Sequence, residues 1–217
     1  MASYAAFFDL DHTIINTSSG RVMFRGSIER GLLRKRHARA ALAFAILYRL
    51  GLMSADAAVQ RWLSWYAGMP ANRIDLFADE WTDEIKRFIR EDARREIERH
   101  RKDGGLTVIL SASPSFICER IRGHLGMDDI LCTEFETEGG VLTGRMRGAY
   151  CYGPEKLSRA RAYCESRGLS LDGAWYSADS RSDIHVLEAV GNPVCVSPDA
   201  KLARIAKQRG WRIVLWR

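Results

Sequence analysis

Phe7-Phe8-Asp9-Leu10-Asp11-His12-Thr13 closes a short apolar run, Ala5 to Leu10, and sets two carboxylates two residues apart at its end. The run is too brief and too near the N-terminus for a long helix, so it reads as a buried strand. Residues i and i+2 of a strand share a face, which would bring Asp9 and Asp11 together just beyond the sheet edge. Two close negative charges repel, and oxygen ligands of this kind suit a hard cation such as Mg²⁺. A polar turn after a strand would use the same residues, since Asp is common in turns.

Outward from that stretch, Val22 to about Arg101 is rich in Ala, Leu, Arg and Glu and has helical periodicity without a convincing strand. Breaks are expected near Gly31, at Gly51 to Ser54 with Ser54 as an N-cap, and around Gly68-Met69-Pro70, giving four or five helices. The last of them is expected from about Asp83 to Arg101. The pattern then changes to alternating strand and helix: Leu106 to Ser111 strand, Ser115 to Gly123 helix, Ile130 to Cys132 strand. Thr133 to Glu138 and Val141 to Arg147 flank Gly139-Gly140 as a hairpin. A helix from Pro154 to Arg167, a strand from Gly173 to Ser177, a helix from Ser180 to Val190, a strand from Val194 to Val196, a helix from Pro198 to Gln208 and a strand from Arg212 to Leu215 complete the order. The class is α/β, with strands and helices alternating around one helical block.

With 217 residues and 47% hydrophobic content, the chain suffices for one domain with an inserted subdomain, or for two small ones. The five cysteines, Cys118, Cys132, Cys151, Cys164 and Cys195, show no Cys-x-x-Cys spacing and read as reduced packing residues. There is no basic leader followed by an apolar segment, and the apolar run Ala40 to Leu47 is soon interrupted by Arg49, so a soluble, cytoplasmic protein is expected. The net charge of +6 is spread along the chain and mixed with acids, so no nucleic-acid partner is expected. The densest basic cluster, Arg34, Lys35, Arg36, His37 and Arg39, adjoins the apolar stretch Ala40 to Leu50. It suits weak contact with anionic lipid or guidance of anionic substrates, as well as a plain solvated helix face.

Ligands of open α/β sheets bind beyond the carboxyl ends of the strands, and four sets of residues gather there. They are Asp9 with Asp11; Ser111-Ala112-Ser113-Pro114; Lys156 in the first turn of its helix; and Asp179-Ser180-Arg181-Ser182-Asp183. This ordered set resembles the four motifs of the haloacid dehalogenase superfamily: an Asp-x-Asp-x-Thr strand end, a strand-terminal Ser or Thr, a Lys, and a later acidic pair. The helical block falls between the first and second motifs. That placement, the hairpin and Tyr152-Gly153-Pro154-Glu155-Lys156 are similar to the phosphoserine-phosphatase-like branch. The resemblance implies a Rossmann-like three-layer core with a mostly parallel sheet at residues 1–15 and 89–217, plus an inserted all-helical cap subdomain at 16–88.

It also implies a Mg²⁺-dependent phosphomonoester hydrolase acting on a small organic phosphate. Asp9 resembles the nucleophile that forms an aspartyl-phosphate, and Asp11 the acid and then the base. Metal ligation maps onto the Asp9 side chain, the Asp11 backbone carbonyl and Asp179, with Asp183 in support. Ser111, backbone N–H groups around Ala112, and Lys156 map onto the phosphate-binding positions. Members specific for phosphoserine carry an acidic residue shortly after the first motif, where this chain has Asn16-Thr17-Ser18-Ser19. Histidinol phosphate and lipid-derived phosphates therefore stand beside phosphoserine as candidates. His12 neighbours the site without an assigned role. Arg21, Arg25, Trp62, Trp65 and Tyr66 are candidate cap contacts, although aromatic residues at helical spacing also fit core packing. The rival reading is a module of the same fold that binds a phosphorylated ligand or an anionic surface with little turnover.

Overall fold

The computed structural model describes residues 2–217, the side chain of Arg49 excepted. The chain runs β1 (Ala5–Phe8), α1 (Ser19–Glu29), α2 (Arg36–Arg49), α3 (Ala55–Leu63), α4 (Ala71–Lys86), α5 (Glu91–Lys102), β2 (Leu106–Pro114), α6 (Ser115–Leu125), β3 (Asp129–Glu138), β4 (Val141–Arg147), α7 (Pro154–Ser166), β5 (Trp175–Ala178), α8 (Ile184–Ala189), β6 (Asn192–Val196), α9 (Ala200–Arg209) and β7 (Arg212–Val214).

β1 is apolar and buried at every residue, as a parallel strand covered on both faces must be. Its side chains alternate between two cores. Ala6 and Phe8 join Met23, Trp81, Ile97 and Ile117 from α1, α4, α5 and α6 on one side of the sheet. Ala5 and Phe7 join Ala160, Val186 and Leu202 from α7, α8 and α9 on the other. Each phenylalanine buried in this way contributes roughly 1.5–3 kcal/mol. The sheet has the order β4-β3-β2-β1-β5-β6-β7, parallel except for the β3–β4 hairpin. This is the three-layer, Rossmann-like α/β arrangement that the sequence implies. Connections leave β1 toward β2 on one side and arrive at β5 on the other, so the crevice between β1 and β5 is the topological switch point.

Several boundaries differ from expectation. The helix expected over Asp83 to Arg101 is two helices, α4 and α5, because Arg90 is extended (φ −74°, ψ 133°) and its N–H donates to the Ile14 carbonyl at 2.9 Å. Tertiary pairing overrides a helical periodicity that no Gly or Pro interrupts. Ile130 to Cys132 and Thr133 to Glu138 are one strand, β3, which pairs in parallel with β2 and then antiparallel with β4. The helix expected from Ser180 begins as a short 3₁₀ turn, Arg181–Asp183, before α8.

Helices α1 to α4 stand between β1 and α5. Ser54 caps α3 as expected, accepting from the Ala57 N–H at 3.1 Å. Gly26 of α1 passes so close to Trp81 of α4 that a Cβ on it would lie 2.2 Å from the indole Nε1. Beyond α3, Gly68 N–H donates to Leu142 at 2.8 Å, and Ala71 N–H donates to Gly140 at 2.9 Å, which covers the edge strand β4 with main chain. The chain leaves for these helices and returns from them side by side. Asn16 N–H donates to Phe88 at 2.8 Å, and Ile15 pairs antiparallel with Ile89.

Candidate active site

β1 ends at Phe8, two residues earlier than expected, so Asp9 to Asp11 lie in a tight reversal and not in a pleat. Ile14 N–H returns to the Asp9 carbonyl at 3.3 Å, and Ile15 N–H to that of Leu10 at 3.0 Å. His12 makes the reversal with φ of +60°, a left-handed conformation that His, like Asn and Asp, adopts more readily than most residues. Its exposed side chain points to a backbone role.

The reversal sends the two carboxylates to different partners. Asp9 Oδ1 accepts from the Lys156 ammonium at 2.8 Å, and the same ammonium donates to Asp183 Oδ1 at 2.6 Å. Lys156 is buried in the first turn of α7, behind Gly153, whose φ of +55° turns the chain into the helix. Asp183 is further held by the Tyr176 hydroxyl at 2.6 Å and by the hydroxyls of Ser180 and Ser182 at 3.3 and 3.2 Å. With four donors it is the most constrained acid of the group. Asp179, on the loop after β5, reaches the same place because β5 pairs in register with β1, Phe8 opposite Ser177.

Asp9, Asp179 and Asp183 each offer a carboxylate oxygen within 4.8 Å of the others. Three carboxylates against one ammonium leave excess negative charge in a buried place. Burial first, with opposition from Lys156 and repulsion from Asp183 and Asp179, pushes the Asp9 carboxyl up to about 8. Burial and then Asp183 push Asp179 up to about 7. Burial works against the Lys156 charge, yet Asp183 and Asp9 outweigh it and hold its pKa well above the usual lysine value. An all-oxygen donor set with surplus negative charge fits a hard divalent cation.

Asp11 stands apart from that cluster. Its Oδ1 accepts from the Ser19 N–H at 3.0 Å and from the Ser113 hydroxyl at 3.3 Å, and its Oδ2 accepts from the Ser18 hydroxyl at 3.0 Å. Ser18 is the N-cap of α1, so Asp11 also lies at the positive end of a helix dipole. β2 runs on to Pro114, past the end expected at Ser111, which is buried where the pairing with β3 shifts register, 3.2 Å from the Ser113 hydroxyl; Ala112 follows it, its carbonyl accepting from Thr133 Oγ1 at 2.9 Å. Sequence reasoning gave no role to Ser18, Ser19, Ser113 or Tyr176. Only Ser18, standing just before a helix, carries an ordinary capping signal.

Among the candidate cap contacts, Tyr66 is buried and bonds Ser27, and Trp62 packs edge-on to Tyr66 and Phe135. Arg25 pairs with Glu84. A different residue of the helical block reaches toward the site: the Tyr48 hydroxyl of α2 meets that of Tyr152, four residues before Lys156, at 2.9 Å. All five cysteines are free and buried, as expected of packing residues.

A doubly covered parallel sheet with an aspartate cluster and a buried lysine at its switch point defines an α/β protein with a site suited to a divalent cation and an anionic ligand. The chain belongs to the haloacid dehalogenase-like hydrolases, whose family model matches residues 6–188. It is 30% identical over 214 residues to phosphoserine phosphatase SerB1 of Mycobacterium tuberculosis, covering 96% of this chain and 70% of that one. It is 29% identical over 215 residues to a histidinol-phosphatase of Neisseria meningitidis, covering 96% and 97%. A crystal structure of a protein of unknown function from Bordetella pertussis superposes with a TM-score of 0.89 at 25% identity, over 99% of each chain. These likenesses put the chain in the phosphoserine-phosphatase-like branch of the family and make it a phosphatase. Among the described residues no helix is long and apolar enough to cross a membrane.

Proposed function

We propose that the protein is a Mg²⁺-dependent phosphomonoester hydrolase that works through an aspartyl-phosphate on Asp9. The observation that carries this reading is the buried Lys156 ammonium bound to Asp9 beside the three-carboxylate cluster. Asp9, Asp179 and the Asp11 backbone carbonyl, supported by Asp183, would hold the ion. Bound there, it supplies positive charge that offsets a phosphate dianion facing a carboxylate.

The residues then divide the work. An Asp9 oxygen forms a bond to phosphorus as the bond from phosphorus to the ester oxygen breaks, and Asp11 gives its proton to that departing oxygen. Asp11, now a carboxylate, takes a proton from water, whose oxygen attacks phosphorus and releases phosphate and free Asp9. Lys156, Ser111 and the Ala112 N–H hold the other phosphate oxygens as charge develops on them. Ser18, Ser19 and Ser113 keep Asp11 oriented toward the leaving group. Segment 16–88 serves as a lid that excludes bulk water, a reading supported by the side-by-side pairing of its two ends, Asn16 with Phe88 and Ile15 with Ile89.

The substrate is a small organic phosphate. The names of the relatives favour phosphoserine and histidinol phosphate, while Asn16 to Ser19 offer no carboxylate for a substrate amine. Phosphate release from a panel of metabolite phosphates, with Mg²⁺ or with a chelator, tests the proposal beside Asp9→Asn. Selective, Mg²⁺-dependent release reduced roughly 10⁴-fold or more in the variant is expected. Equal release by both proteins, or none by either, would overturn it.

A further inference from the structure

From Arg30 to Ala55 the chain contains six Lys or Arg residues and no acid. Most of this stretch is α2, and its two faces differ. The inner face is committed to the protein. His37 stacks on Trp65 with centroids 4.8 Å apart, Phe44 stacks on the same ring at 5.8 Å, and Tyr48 bonds Tyr152. Among the described residues the outer face has no such partners. Arg39, Leu42, Ile46 and Leu50 recur at i, i+3, i+7 and i+11, a single stripe on a helix. Leu42, Ile46 and Leu50 are 64%, 50% and 66% exposed, and Leu52 just beyond is 73% exposed. Arg30 pairs with Glu80, whereas among the described residues Arg34, Lys35, Arg36 and Arg39 pair with no carboxylate.

We propose that the outer face of α2 docks on an anionic lipid bilayer, with Leu42, Ile46 and Leu50 entering the headgroup boundary and Lys35, Arg36 and Arg39 meeting lipid phosphates. The charge argues for this occupant. A helix that is aliphatic along one stripe and cationic beside it has the pattern of an interfacial helix. A second copy of the chain would set unpaired cations against each other, and a nucleic acid offers nothing apolar to three aliphatic side chains. The inner face adds a consequence. Because Tyr48 touches Tyr152 near Lys156, a docked helix would hold the site's mouth close to the headgroups. That placement rests on the phosphatase reading, whereas docking itself does not.

Vesicle flotation tests it. The full chain is mixed with phosphatidylcholine vesicles, with and without phosphatidylserine, at low and high salt, beside Leu42→Ser/Ile46→Ser and Arg36→Glu/Arg39→Glu. Flotation with anionic vesicles only, weakened by salt, is expected, with partition falling about fivefold for each cation removed. Both variants should lose flotation yet hydrolyse a water-soluble chromogenic phosphate ester at the wild-type rate. No flotation of the wild type at either salt, or flotation unchanged in both variants, would overturn docking. Flotation of a wild type that hydrolyses no ester would leave docking standing and overturn the phosphatase reading.

Discussion

Lys156 and Leu42 occupy each other's usual places: the cation is 3% exposed in the middle of the fold, and the aliphatic residue is 64% exposed on α2. Lysine is almost never fully buried without partners. Lys156 has three, in Asp9, Asp183 and Tyr176, all within 3.2 Å. Among the described residues, Leu42, Ile46 and Leu50 belong to neither apolar core. The strand-end cluster is explained by groups that the chain itself brings from distant segments. The outer face of α2 is explained, on the docking proposal, by a lipid surface.

Removing the lysine breaks the first half of that contrast most directly. Lys156→Met leaves the buried Asp9 and Asp183, beside the half-buried Asp179, without their cation, and the expected loss of stability at neutral pH is about 3–5 kcal/mol. Urea unfolding of the metal-free protein reads it, and an unchanged midpoint would mean that the ammonium does not balance the cluster. A smaller effect tests whether the cap interior is packed like the core or loosely like the outer face. Gly→Ala within a helix normally stabilises by roughly 0.5–1 kcal/mol. At Gly26 the new Cβ would strike Trp81, so Gly26→Ala should destabilise by about 1–3 kcal/mol, and a raised midpoint would show that α1 and α4 yield easily.

The smallest effect concerns a charge that is neither buried like Lys156 nor free like Arg39. Glu96 on α5 is held down to about 2, first by His100, whose Nε2 stands 3.7 Å from its carboxylate, and then by Arg99, against burial. A depressed folded-state value means that this stability is present above the ordinary glutamate range and is lost as pH falls from about 4.5 toward 2. Between those limits the wild type should lose roughly 1 kcal/mol more than Glu96→Gln, given partial screening by solvent. Parallel acid-unfolding curves would remove the Glu96 pairing from the account.

The strand-end residues were legible because their types and order are local facts: an acid pair after an apolar run, a serine closing another strand, a lysine one turn into a helix, an acid pair after a third strand. The class of fold followed from the same alternation. What sequence did not yield depends on residues far apart in the chain. Asp11 is oriented in part by Ser113, and Tyr176 is tied to the cluster through Asp183, with no short-range pattern announcing either contact. The break between α4 and α5 falls at Arg87-Phe88-Ile89-Arg90, which periodicity continues straight through; only the pairing with Ile14 to Asn16 opens it. The early end of β1 escaped for a like reason, since Leu10 is apolar and buried but belongs to a turn.

The side-by-side crossings at residues 14–16 and 88–90 carry a consequence for how such a protein can change. Where a segment's two ends are already hydrogen-bonded neighbours, the sheet does not register the length of what lies between them, and doubling that length adds only about 0.6 kcal/mol of closure entropy. The helices between Asn16 and Phe88 therefore form an exchangeable cassette. A longer, shorter or differently charged one that kept the Ser18-Ser19 start of α1, which holds Asp11, would alter which esters are admitted and which surface is met, while the acids at the strand ends kept their positions.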